Sequence, residues 1–136
     1  MSAPEKPRVI IFSDHLLYPS ETFIQAQASA LSRFEPIYAG SRRVTGLDLR
    51  GEQIHVINNG DIQGKCRELT FKLAGFAPAL VKSLGALNPV LLHAHYGPNG
   101  LRTLPIARNL KIPHIVTFHG SDVTVADLRT QKFTLG

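Results

Sequence analysis

The 136-residue chain has no tryptophan, one methionine and one cysteine, and only 18% of its residues are charged. The single Cys66 excludes an intramolecular disulfide and any zinc site made of cysteines alone. A lone thiol also fits a reducing compartment. Long hydrophobic runs are missing. The stretch from Leu73 to Val81 is interrupted by Gly75 and Pro78, far short of the roughly 20 apolar residues that a membrane-spanning helix needs. Met1 to Pro7 has no apolar core behind its charges, so the chain reads as one without a signal peptide. Phosphate-binding motifs are missing too. No Gly-x-Gly-x-x-Gly follows the first apolar run, where Ser13-Asp14-His15-Leu16-Leu17-Tyr18 stands instead. This argues against a dinucleotide fingerprint, and there is neither a Walker loop nor a Gly-x-Ser-x-Gly elbow. No internal repeat or low-complexity tract interrupts the chain.

What is there is globular: 43% of the residues are hydrophobic, and at roughly 150 residues per domain the length allows one domain at most. Lys and Arg number 15 against 10 Asp and Glu, giving a net charge of +5. Residues 1–7, with two prolines and mixed charge, read as a flexible arm, and residues 8–136 as the folded unit. Short apolar runs rich in β-branched residues mark buried strands: Arg8–Ser13, Pro36–Gly40, Ile54–Ile57, Val90–Ala94 and His114–Phe118. Between them lie patterns of helical period. Phe23, Ile24, Gln27, Leu31 and Phe34 follow Pro19-Ser20-Glu21-Thr22, where Ser20 or Thr22 would cap and Thr22 with Gln25 fits a capping box. Leu69, Leu73, Phe76, Leu80 and Leu84 predict one apolar helix over 65–84, kinked at Pro78 and exposing Phe71 or Phe76 on one side. Leu101, Leu104, Ala107 and Leu110 mark another, with a start delayed by Pro105. Residues 41–53 read as a polar surface loop.

Strands alternating with helices define an α/β protein with a doubly wound parallel sheet and right-handed crossovers. In such sheets ligands bind at the carboxyl ends of the strands, so Ser13–Thr22, His93–Gly100 and His119–Asp122 should converge. His119 follows a buried strand, and an imidazole there is suited to binding a hydroxyl or moving a proton. Gly120 permits a left-handed turn and close ligand approach. Asp122 would orient His119 or simply cap the next helix. His93 and His95 share a face. His95, at the turn, is the better ligand contact, and His93 reads as structural. With no cysteine or carboxylate pair to complete a tetrahedral set, no metal is expected. Glu21 suits a sugar hydroxyl, or merely the dipole of the helix it precedes. Cys66, in a helical stretch, reads as a half-buried thiol.

Lys65, Arg67, Lys72 and Lys82 accompany the apolar helix around residue 70. Such a surface either lies on an anionic membrane or is ordinary solvated charge. The remaining arginines are scattered without a recognition motif, so no nucleic-acid partner is expected.

Two runs, His93-Ala94-His95-Tyr96-Gly97-Pro98-Asn99-Gly100 and Ile112-Pro113-His114-Ile115-Val116-Thr117-Phe118-His119-Gly120-Ser121-Asp122, resemble the amino-terminal half of family 4 retaining glycosyltransferases. Ser20-Glu21-Thr22-Phe23-Ile24 is similar to the opening loop of a bacterial branch that builds exopolysaccharide. The resemblance covers residues 8 to about 125, in order. It implies a GT-B architecture of two Rossmann-like domains, the first holding the acceptor and the second the nucleotide-sugar. Carried over by position, His119 would contact the donor sugar, Gly120 would admit the backbone to it, and Asp122 would brace the loop. His95 and Gly97 would line the acceptor pocket, with Glu21 and Thr22 at the opening loop. The nucleotide-sugar is then a co-substrate, and neither a cofactor nor a metal is implied. The partners are a glycan or lipid-linked saccharide acceptor, with the nucleotide-sugar bound only in the presence of the second domain.

One departure stands out. The family's second domain carries two glutamates eight positions apart, and here glutamates stand at 5, 21, 35, 52 and 68 without that spacing. The chain therefore reads as an amino-terminal fragment lacking the donor domain, inactive alone, and either free in the cytoplasm or peripheral to the inner face of the membrane. An uncovered sheet edge would favour homo-oligomers. The alternative is a complete, non-catalytic α/β module that binds a ligand or scaffolds a partner, in which His119 and Asp122 are ordinary loop residues.

Overall fold

A computed structural model describes residues 3–120. Its strands are β1 (Arg8–Phe12), β2 (His15–Leu16), β3 (Glu35–Arg43), β4 (Gln53–Asn58), β5 (Leu91–His95) and β6 (His114–Thr117). The helices are α1 (Thr22–Ser29), α2 (Ile62–Ala74), α3 (Pro78–Gly85) and α4 (Gly97–Leu110). All strand pairings among the described residues are parallel. β1 lies between β3 and β5, with β4 outside β3 and β6 outside β5. The short β2 prolongs the pairing of β1, joining His15 to Arg42 and Leu16 to Arg43. This is a Rossmann-like α/β fold, as the alternating pattern predicts.

Side-chain alternation divides the core in two. Ile10, Phe12, Ile37, Leu92 and Ala94 face α2, α3 and α4, where Phe71, Leu80, Leu84 and Ile106 fill one cluster. Val9, Ile11 and Tyr38 face the other way, against Ile24 and Ala28 of α1 and Leu49 of the β3–β4 loop. The phenol of Tyr38, 1% exposed, is pushed up to about 12 by its burial and by Glu52.

Several elements differ from the pattern-based expectation, each for a physical reason. Ser41–Arg43 are strand, not loop, because β2 supplies a pairing partner, and the Ser41 hydroxyl reaches the carboxyl of Asp14. The 65–84 stretch forms two helices. Asp61 caps the first through the Gly64 N–H at 2.6 Å, and Gly75 ends it at φ 68°, a left-handed cap that favours glycine. Pro78 then starts α3 instead of kinking a longer helix. α4 begins at Gly97 with Pro105 inside it. The expected capping box at α1 does not form: Glu21 occupies the cap position without a side-chain cap bond, and the helix stops at Ser29, before Leu31 and Phe34. Cys66 is exposed, not half-buried.

The outward face of α2 is the largest departure. Leu69, Leu73 and Phe76 point to solvent, while Gly64, Glu68 and Phe71 face the sheet. Phe71 packs against Phe12 with the rings tilted and their centroids 5.7 Å apart. Glu68 accepts from the Asn58 amide at 2.7 Å and the Lys72 ammonium at 2.7 Å, with Arg42 at 3.9 Å. Burial pushes the Glu68 carboxyl up, but these three partners together hold it below its ordinary value.

Candidate functional site

Strand order reverses between β1 and β5, since the chain leaves β1 toward β3 and leaves β5 toward β6. In a doubly wound sheet that reversal marks where a ligand is expected, beyond the carboxyl ends of β1 and β5. His95 is the last residue of β5 and is 1% exposed. Its Nδ1 lies 3.3 Å from Nε2 of His119, just past the end of β6. The two rings stack at 5.5 Å between centroids. On the other side His93 packs 4.4 Å from His95, and Nε2 of His93 bonds the Thr117 hydroxyl at 2.7 Å. The period of a strand thus delivers a column of three imidazoles, two from β5 and one from the segment after β6.

Aromatic rings close around the outer end of that column. His119 lies 4.8 Å from the Phe23 ring of α1 and 4.5 Å from that of Tyr96. Tyr96 stands at φ 73° and ψ 140°, a conformation that costs a non-glycine residue about 1–3 kcal/mol. Its N–H donates to the Thr117 carbonyl at 2.9 Å, and its hydroxyl donates to Oε1 of Glu21 at 3.0 Å. Oε2 of Glu21 in turn accepts from the Tyr18 N–H at 2.8 Å. Glu21 is 7% exposed, so its carboxyl joins the loop before α1 to the turn after β5.

The three predicted segments therefore converge, though their residues do so in different ways. His95, His119 and, through Tyr96, Glu21 come together. Thr22 is the first residue of α1 and is exposed. Gly97 sits in the first turn of α4, where a Cβ would lie 2.7 Å from Cε1 of Phe118. Its smallness lets the helix close onto that ring. Gly120 is exposed, a Cβ there would meet no heavy atom of the described residues within 4 Å, and its φ is not left-handed, so the expected turn does not depend on it. Asp122 lies outside the described residues. Tyr96 and Phe23 were missed as site residues, although an aromatic between His95 and Gly97 and another beside Thr22 are visible signals.

Electrostatically the two imidazoles of β5 favour the neutral form. Burial, reinforced by His93 and His119, pushes the His95 imidazole down to about 4. Burial and then His119 lower His93 as well. Neutral imidazoles donate from one nitrogen and accept at the other, which suits hydroxyl-bearing ligands. The faces of Phe23 and Tyr96 supply apolar contact beside these polar groups, the mixture typical of small-molecule sites. No cluster of three or more His, Cys, Asp or Glu side chains among the described residues is arranged to hold a metal ion. Compared with known proteins, the chain matches no family model and no curated protein.

Proposed function

We propose that this chain is the acceptor-side half of a family 4 retaining glycosyltransferase, which moves a sugar from a nucleotide-sugar to a glycan or lipid-linked saccharide. One observation supports the reading above the rest: the segments that resemble the family meet at a single rim. Glu21 and Phe23 come from the opening loop, His95 and Tyr96 from the second run, and His119 from the third. On this reading His119 holds a sugar hydroxyl, His95 fixes the orientation of the His119 ring, and the Tyr96–Glu21 pair braces the wall. Retaining transfer brings acceptor hydroxyl, anomeric carbon and departing phosphate to one face, so this wall contributes positioning. The leaving diphosphate is then stabilised by a facing domain, and the nucleotide-sugar is a co-substrate. A cytoplasmic location follows from the same reading.

A non-catalytic ligand-binding module is the second reading, favoured by Glu21, whose two oxygens are both taken up inside the protein. Titration of a saccharide panel followed by imidazole NMR tests the first. The His119 resonances should move on saturation while those of His55, in β4, stay in place. A panel of glycans and pyrophosphate-linked saccharides that leaves His119 unmoved sinks the reading. In the chain joined to a donor domain, His119→Ala should lower kcat at least tenfold, about 1.4 kcal/mol in barrier. Unchanged kinetics remove His119 from the site, and saccharide binding with no turnover at all selects the module.

A further inference from the structure

We propose that the outer face of α2, with the basic rim beside it, docks the protein on an anionic lipid bilayer. This inference stands apart from the glycosyltransferase reading and rests on the side chains of α2 and its neighbours. An amphipathic helix in a doubly wound fold normally turns its apolar stripe to the sheet. α2 does the reverse. Ile62, Leu69 and Leu73, at spacings of seven and four, lie along one outward line and are 81%, 60% and 79% exposed. Phe76, just past the helix, and Leu101 of α4 extend the patch at 60% and 76%. Single exposed leucines are ordinary, but a joined set marks an interaction surface. Leu69, Leu73 and Leu101 are linked through Lys72: a cleft of ≈ 300 Å³ brings Arg42, Lys65, Glu68, Leu69 and Lys72 together, and one of ≈ 390 Å³ brings Lys72, Leu73, Leu101 and Arg102 together.

Charge selects the occupant. Arg43, Lys65, Arg67 and Arg102 have no acidic partner among the described residues, whereas Lys72 is engaged by Glu68 and Asp14. Arg42, Arg43 and Lys65 also line a third cleft, of ≈ 320 Å³, at the carboxyl ends of β3 and β4, with no acid among its described lining residues. On the helix itself, Glu68 is buried toward the sheet and Asp61 is held by the Gly64 N–H. A second copy meeting this face with its own would set these cations against each other. The phosphates of an anionic bilayer complement them, while the leucines enter the boundary between headgroups and acyl chains, about 5–10 Å deep. Pro98 lines the cleft of Leu73 and Leu101, one residue from Gly97, so a docked protein brings the start of α4 close to the lipid surface.

Vesicle flotation of the full chain is the test. Phosphatidylcholine vesicles with about 30 mol% phosphatidylglycerol should carry the protein at least tenfold better than pure phosphatidylcholine, and raising the salt should release it. Leu69→Ser/Leu73→Ser should lose at least tenfold. Arg43→Ser/Lys65→Ser should lose roughly fivefold per base removed, or more. Circular dichroism and the melting midpoint should stay at wild-type values, since all four side chains are exposed. If the leucine pair fails to fold, the basic pair gives the same readout. No flotation, equal flotation on neutral vesicles, or variants that bind as well as wild type overturn the proposal. So does a dimer in sedimentation velocity that the leucine pair disperses while vesicles capture nothing, which assigns the face to a second copy.

Discussion

Histidine 95 shows how one position links burial to pH. Its imidazole titrates near 6.5 when unfolded and only near 4 when folded, so the unfolded state binds the proton first. Stability is full above pH 6.5 and drains away as the pH falls toward 4. Between pH 6.5 and 5 the loss from this group alone is about 2 kcal/mol. His95→Gln should flatten that limb in urea midpoints taken at pH 7 and pH 5, and an unchanged slope removes His95 as its cause. Tyr96 makes a second case. Tyr96→Phe keeps the ring beside His119 but leaves Oε1 of buried Glu21 without its donor. The expected cost is about 1–3 kcal/mol, read as a lower urea midpoint, with Glu21→Gln added to Tyr96→Phe costing little more. A midpoint equal to wild type for Tyr96→Phe removes the bond from the wall.

Among the elements, α4 and β6 depend on absent side chains. A Cβ at Gly100 would lie 2.6 Å from Cγ2 of Val116, with Cβ of Val116 at 3.2 Å. Gly100→Ala should therefore cost about 1–3 kcal/mol by overpacking, checked by denaturant unfolding of the variant and of its Val116→Ala partner, which makes room. The Asp61 cap of α2 is worth about 1 kcal/mol by the same measurement on Asp61→Ala. These elements also show what a sequence discloses. The strands were legible because buried parallel strands are short apolar runs, and the convergence of His95, His119 and Glu21 followed from where those runs end. The orientation of α2 was not legible. Its leucines have helical spacing, and the pattern alone cannot say that Phe71 will seek Phe12 and Glu68 will seek Asn58, turning the leucines outward. The β2 pairing was hidden for a related reason, because His15 and Leu16 become strand only through their partners at Arg42 and Arg43.

On the scale of the whole molecule, protection should radiate from β1. It is paired on both sides, by β3 and β5, and its Ile10 and Phe12 are fully buried. β6 pairs with β5 alone among the described residues, and its Ile115 is 49% exposed. Native-state hydrogen exchange should find the amides of β1 slowest and those of β6 opening at much lower free energy. Uniform protection across the sheet would contradict this layered stability. The same connectivity governs assembly. Val9 pairs with Leu91 and Phe12 with Ala94, so the central strand waits for a neighbour made far later on the ribosome. Closing so long a loop precedes any reward from the contact. The rim of His95 and His119 is therefore among the last things to exist as the chain matures, and a nascent polypeptide has nothing with which to engage a ligand until its final described strands arrive.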